Sequence, residues 1–369
     1  MICAICYKEF VPSPRHLIRM LVLGAQHIYN ITLYRYQLIM KKIIFVTFFI
    51  LVVIAPNSTI ARNYDKSAHS IKIEYTSYNA ENYNDVLTGK FNSAKQVTLH
   101  GNLYIPTKDG KYPVILLQHG SGTVKNKGRW YGDLVPVLIK NGFGVFVNDS
   151  YHGRGMGETS KDQSKLSGTA RVLDAFFALN ELSKHPNVIP NKIGITGYSF
   201  GGFVSHMTAN KNLIEALKLD NIFASHLPVY PTCQAYFKEI NLTGKPMLFL
   251  LGEKDDYTPA KYCVEYVENL KKKGIDANYK IYNGAWHGFI NTGNKTSPDA
   301  WKLTECGSGY INKDGFYNWG GKEHKGKWSE MTKYLGKTCA SRGVTQGGSK
   351  EDRQNTIDDT LNFFKKTLL

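Results

Sequence analysis

Short apolar runs recur along the chain at residues 112–122, 144–147, 193–196, 222–229, 247–251 and 278–282, and most of them end at a Gly- or Asn-bearing turn. Runs of this length with little polar alternation predict strands buried on both faces, as in a parallel sheet. Between them lie amphipathic stretches predicted as helices at 132–140, 168–183, 203–211 and 260–273. In 168–183, Val172, Ala175, Phe176 and Leu179 recur at helical spacing and mark the face turned to the core. Residues 72–78 and 96–105 read as strands of an antiparallel start to the sheet. The pattern as a whole predicts an α/β protein: a mostly parallel sheet with helices on both faces. Residues 291–350 break the alternation, being rich in Gly and Lys and holding Trp301, Trp319 and Trp328. They lead into a final amphipathic helix, 352–367, with Ile357, Leu361 and Phe364 on one face.

Chemistry enters at the end of the apolar run 192–196. Residues 197–202 read Gly-Tyr-Ser-Phe-Gly-Gly, directly after that run and ahead of a helical stretch. A strand, a sharp turn and a helix in that order lift a serine hydroxyl out of the sheet, and the flanking glycines leave room for its strained backbone. Small residues also make plain turns, so the motif gains its weight from two later segments of the chain. The run 247–251 opens into Gly252-Glu253-Lys254-Asp255-Asp256, and the strand-like 277–282 leads to Gly284-Ala285-Trp286-His287-Gly288-Phe289. Ser199, an aspartate and His287 thus succeed one another in the order expected of the α/β-hydrolase fold, each after a strand. A serine hydroxyl is a poor nucleophile near neutral pH; an imidazole must take its proton, and a carboxylate must orient that imidazole. His152, His185, His206 and His226 lack such company and are read as structural.

Acyl transfer also needs two backbone N–H groups aimed at the carbonyl oxygen. One is expected from Phe200, after the nucleophile, and the other from the His119-Gly120-Ser121-Gly122 loop at Ser121. Over roughly residues 96–289 and the last helix the chain resembles the dienelactone hydrolase family of α/β-hydrolases. The resemblance rests on LLQHGSG, the segment 148–155, HPNVIPNKIGITGYSFGG, VYPTC, LLGEKDDYTPAKYC and GAWHGF. The namesake lactonases use a cysteine nucleophile where this chain has Ser199, so the resemblance implies a serine esterase activity more than lactone cleavage. Asp255, three residues after Gly252 and four before Pro259, resembles the superfamily's acid-loop spacing. Asp255 is therefore preferred as the acid, with Asp256 as the alternative, a capping or solvated carboxylate. Tyr151, Trp286 and Phe289 are expected to make the substrate site apolar. The insertion 291–350 leaves directly after His287 and is read as a lid or substrate wall, with a disordered surface insert as the alternative.

Composition and targeting add limits. A chain of 369 residues with 42% hydrophobic content can bury one large core. Met40-Lys41-Lys42, the apolar run 43–54 and the small residues near Ala61 read as a signal peptide over 40–61, leaving 62–369 as the hydrolase domain. Residues 1–39 read as a segment upstream of a start at Met40, and its Cys3-Ala4-Ile5-Cys6 string has no second ligand pair. An exported protein is expected, or one anchored to a membrane by 43–54 if the leader stays uncleaved. The formal charge of +16 falls to +11 without residues 1–61, with 40 basic against 29 acidic residues. The excess is scattered, without interleaved aromatics, so no nucleic acid partner is expected. No histidine and carboxylate cluster has ligand spacing, so no metal is expected, and no cofactor either. Four cysteines remain after the leader, an even number suited to an oxidising compartment. Cys233 comes after one core strand and Cys263 opens the helix after the next, while Cys306 and Cys339 share the insertion. These positions predict the pairs Cys233–Cys263 and Cys306–Cys339.

Together these features predict an exported serine hydrolase acting on a small ester, lactone or related acyl substrate. The alternatives are an oligopeptidase-like peptide hydrolase and a non-catalytic binding protein on the same fold.

Overall fold

The computed structural model describes residues 68–369. The upstream segment 1–39, the leader 40–61 with its cleavage point, and the Cys3 to Cys6 string lie outside the described residues. Eight strands form the main sheet: β1 (Ala68–Tyr78), β2 (Gln96–Pro106), β3 (Tyr112–Gln118), β4 (Gly144–Asp149), β5 (Val188–Tyr198), β6 (Ser225–Val229), β7 (Met247–Gly252) and β8 (Ala277–Tyr282). Their order across the sheet is β1-β2-β4-β3-β5-β6-β7-β8. β2 is antiparallel to β1 and to β4, and every pairing from β4 through β8 is parallel.

The apolar runs form strands because both faces are covered. Along β3 the residues Val114, Ile115, Leu116 and Leu117 are all fully buried. Val114 and Leu116 join one core cluster while Ile115 and Leu117 join another, as the two-residue period of a strand requires. Among the described residues the helices are α1 (Tyr83–Leu87), α2 (Gly128–Lys140), α3 (Gly168–Lys184), α4 (Phe200–Met207), α5 (Lys211–Ala216), α6 (Ala260–Lys272), α7 (Trp328–Thr338) and α8 (Lys350–Leu368). Helices α3 and α4 pack in the first cluster, and α2 and α8 in the second. The helix expected at 203–211 is two helices instead, because Asn210 caps α5 by accepting from the Leu213 N–H at 3.2 Å. Among the described residues no helix is long and apolar enough to cross a membrane.

After His287 the chain forms ordered structure, which corrects the alternative of a disordered insert. β9 (His287–Thr292), β10 (Lys295–Lys302) and β14 (Ser341–Gly348) make one three-stranded sheet, in the order β10-β14-β9. β11 (Tyr310–Ile311), β12 (Tyr317–Trp319) and β13 (Lys322–His324) make another. Ile311, Tyr317, Trp319, Met331 and Leu335 of this segment lie in the same core cluster as α3 and α4. The segment leaves and returns at one neck, where the Gly293 N–H donates to the Gly348 carbonyl at 2.9 Å. Within the fold Cys233 is joined to Cys263 and Cys306 to Cys339.

Candidate active site

The sheet order reverses around β3: β4 lies on one side of it and β5 on the other. Loops leaving the carboxyl ends of β3 and β5 diverge there, opening the crevice in which α/β sheets bind ligands. The His119 loop leaves β3 and Ser199 leaves β5, so both sit at this switch point.

Ser199 has φ 56° and ψ −118°, a conformation that L-residues rarely adopt. Its surroundings explain the glycines. A Cβ on Gly197 would stand 2.1 Å from the Gly201 carbonyl oxygen, and one on Gly201 would stand 2.1 Å from that of Gln118. The backbone is held in this turn by the Ser199 N–H donating to the Val229 carbonyl at 2.9 Å. The strained turn projects the hydroxyl toward His287, whose Nε2 lies 2.9 Å from Ser199 Oγ. On the other edge of the ring, His287 Nδ1 lies 2.8 Å from Asp255 Oδ2. Asp255 is itself fixed: its Oδ1 accepts from the Tyr257 and Thr258 N–H groups at 2.9 and 2.8 Å. The Thr258 hydroxyl adds a 3.0 Å donation to Oδ2. Rings of Tyr257 and Tyr230 flank the imidazole, with centroids 4.7 and 4.9 Å away.

Asp256 points elsewhere. Its Oδ1 accepts from the Thr345 N–H at 3.0 Å and its carbonyl from the Thr304 hydroxyl at 2.8 Å, so it ties the acid loop to the segment after His287. It neither caps α6 nor approaches the imidazole; α6 has Pro259 at its N-cap position with no side-chain cap.

The Phe200 amide opens α4, where the first N–H groups have no intrahelical acceptor. The loop bearing Ser121 faces it across a narrow gap, since a Cβ on Gly120 would lie 2.8 Å from the Tyr198 carbonyl oxygen and 3.4 Å from Ser199 Cβ. Two buried side chains brace that loop from below. His119 Nδ1 donates to the carbonyls of Gly120 and Gly122 at 2.8 and 2.9 Å, while its Nε2 accepts from the Ser150 N–H at 3.1 Å. Burial, with the Arg171 charge adding to it, lowers the His119 pKa to about 4 and keeps the ring neutral. The fully buried guanidinium of Arg171 donates to the His119 and Gly120 carbonyls and lies against the faces of Tyr151 and Phe200. Sequence reading did not single out Arg171; an arginine on the core side of an amphipathic helix was the available signal.

Ser199 opens on two spaces. One is an apolar chamber of about 80 Å³, lined by Phe200 and Phe203 and by Trp301, Trp319 and Trp328 of the segment after His287. Trp328 stacks on Phe200 with the planes 17° apart, and its indole N–H donates to the Gln163 carbonyl at 2.6 Å. The other is a larger groove of about 590 Å³ reaching past His287 and Gly288 to residues 295–300. Ser121, Ser199 and Tyr257 border both.

The three residues expected to line the substrate site border neither space, and the expectation is corrected. Tyr151 is buried with its hydroxyl 2.9 Å from Thr159 Oγ1 and its ring against His119. Phe289 is fully buried against Tyr282 and Tyr230, in the core beneath the site. Trp286 is half-buried at the start of the strand, where its N–H donates to the Gly347 carbonyl at 3.0 Å. Proximity in sequence to His287 placed Trp286 and Phe289 near the site, but Phe289 packs into the core and Trp286 lies beside Gly347 at the return of the insertion. The apolar lining comes instead from the tryptophans of the insertion. His206 and His226, read as structural, are buried with Nε2 of the first 3.2 Å from the Thr232 carbonyl and Nδ1 of the second 2.8 Å from that of Ser205.

The family model for the dienelactone hydrolase family matches residues 99–335. Protein usf of Aquifex pyrophilus is 26% identical over 214 residues, covering 54% of this chain and 89% of the relative. The uncharacterized peptidase YtmA of Bacillus subtilis is 34% identical over 198 residues, covering 47% of this chain and 74% of the relative. The crystal structure of a putative dienelactone hydrolase from Klebsiella pneumoniae superposes with a TM-score of 0.40 at 15% identity, over 60% of this chain and 89% of that one.

Proposed function

Since the chain belongs to the dienelactone hydrolase family, we propose that it is an exported serine hydrolase cleaving a small ester through an acyl-enzyme. The observation that carries this reading is the continuous relay from Ser199 Oγ through His287 to Asp255, with contacts of 2.9 and 2.8 Å. Ser199 Oγ attacks the ester carbonyl while His287 Nε2 takes its proton; Asp255 holds Nδ1–H and stabilises the imidazolium. The amides of Phe200 and Ser121 receive the oxyanion, and the loop holding Ser121 is kept in place by His119 and Arg171. Collapse of the tetrahedral adduct breaks the bond to the leaving oxygen, which takes the proton from Nε2. Water, deprotonated by the same imidazole, then releases the acid and restores the serine.

Export is supported by the charged and apolar leader at 40–54, the small residues near Ala61 and the two cysteine bridges. Amino-terminal sequencing of protein from the native cell tests it: a start near Asn63 or Arg62 supports cleavage, and a chain retaining 43–54 means an anchor instead.

A fluorophosphonate probe tests the chemistry. Labelling of folded protein that disappears in Ser199→Ala supports the serine hydrolase, and no labelling of folded wild type favours a binding protein. Peptide hydrolysis is a second reading, favoured by the similarity to the peptidase-named relative from Bacillus subtilis. Parallel panels of p-nitrophenyl esters and peptidyl p-nitroanilides distinguish the two, with esters expected to be the better substrates.

A further inference from the structure

Resting on the serine hydrolase reading, we propose that the two spaces at Ser199 sort the two halves of the ester. A short apolar acyl group enters the chamber, and a polyhydroxylated alcohol lies in the groove.

The direction comes from the proton. The leaving oxygen must take its proton from His287 Nε2, so the alcohol departs on the imidazole side. His287 borders the groove and does not border the chamber. With the oxyanion turned to Phe200 and Ser121, the remaining substituent of the tetrahedral carbon is the acyl chain, which points into the chamber. Its walls fit that role: Phe200, Trp301, Leu303, Trp328, Met331 and Leu335 offer little but carbon. A volume of about 80 Å³ is roughly half that of the ~150 Å³ cavity known to take benzene. Acyl groups of about two to four carbons therefore fill it, and longer ones extend beyond it.

The groove has the opposite chemistry. Asn126, Ser160, Thr292, Ser297 and Gln346 bring amides and hydroxyls, which both donate and accept, as hydroxyl-bearing ligands require. Its charges nearly balance, with Lys127, Lys161 and Lys295 against Glu158 and Asp299, and Lys161 lies 3.2 Å from Asp299. Such a surface suits a neutral polyol more than a phosphorylated or carboxylated alcohol.

In the step itself, the bond from Ser199 Oγ to the acyl carbon forms and the bond from that carbon to the sugar-like oxygen breaks. The serine proton passes through His287 Nε2 to the departing hydroxyl, and water later supplies the hydroxyl of the released acid. Water is the one co-reactant, its second proton returns through His287 to Ser199 Oγ, and no oxidant is needed.

A transposed pair of esters tests the assignment: butyryl glucose carries the apolar half as acid, and butyl gluconate carries it as alcohol. We expect kcat/KM for butyryl glucose to exceed that for butyl gluconate by about tenfold or more, the scale of discrimination by small differences in a pocket. Among p-nitrophenyl esters, activity should fall about tenfold or more between butyrate and octanoate. Either Leu303→Ala or Met331→Ala should relieve that fall, which guards against one variant failing to fold. Equal or reversed rates on the transposed pair, or a wild type indifferent to chain length, would overturn the assignment. Hydrolysis of p-nitrophenyl butyrate without any of butyryl glucose would overturn the polyol. If p-nitrophenyl butyrate is not cleaved and the fluorophosphonate does not label Ser199, the serine hydrolase reading has failed first.

Discussion

At Asp255 both carboxylate oxygens have partners of their own besides the imidazole: two backbone N–H groups on one and the Thr258 hydroxyl on the other. Asp256, one residue on, reaches Thr345 across 89 positions of sequence. Asp255→Asn should therefore lower kcat by about 10⁴, through loss of imidazole orientation. Asp256→Asn should stay within about tenfold of wild type and cost less than about 1 kcal/mol of stability, because its amide oxygen still accepts from the Thr345 N–H. Steady-state kinetics and denaturant titration of both variants check this, and the reverse ranking in kcat would move the acid to Asp256. Ser199→Ala and His287→Ala should each remove roughly 10⁴-fold or more of kcat with the unfolding midpoint little changed. At this scale the sequence made the relay legible because turn glycines, an acid loop and a histidine loop are local patterns. It did not reveal Arg171 or the contact of Asp256 with Thr345, because a helix face and a contact between distant segments leave no local spacing. Tyr151 and Phe289 misled for a related reason: an aromatic ring serves a core as readily as a pocket.

The eight core strands and the helices α2, α3, α6 and α8 were readable as elements because most are short apolar or amphipathic runs that end in a turn signal; the five-residue α1 was too short to show a period. The break after Met207 was not, since Asn210 as a helix cap looks the same in sequence as an ordinary polar helix position. The segment after His287 announced only that it was irregular. Its order depends on pairing between residues some fifty apart, as where Thr296 of β10 faces Thr345 of β14. The Cys306–Cys339 bridge spans 33 positions within it, a loop whose closure is worth about 3 to 4 kcal/mol in the chain-entropy model. The double variant Cys306→Ser with Cys339→Ser is expected to lose about that much, measured by urea unfolding. It should also lose its short-chain preference, because Leu303 and Leu335 line the chamber close to the two cysteines in sequence. Unchanged stability and chain-length profile would show that the bridge does not hold this element.

For the molecule as a whole, acid is a condition to which the fold is exposed. Burial lowers the pKa of His119, His206 and His226 to about 4 from 6.5. The folded state thus prefers these rings neutral, while the unfolded chain binds protons from pH 6.5 downward. Their contribution is complete above about pH 6.5 and is lost as the pH falls toward 4. The melting temperature should drop steeply across that window, and His226→Gln should flatten the drop; a midpoint constant from pH 7 to pH 4 would contradict it. One further consequence comes from the chamber sharing its walls with the core. Tyr317, Trp319, Met331 and Leu335 are chamber wall and buried core together. A large-to-small change there costs about 2–5 kcal/mol, against a total stability of about 5–15 kcal/mol for a typical fold. Two or three widening substitutions would exhaust that margin, so neither natural drift nor laboratory selection can broaden acyl choice along this wall for long without stabilising changes made first elsewhere.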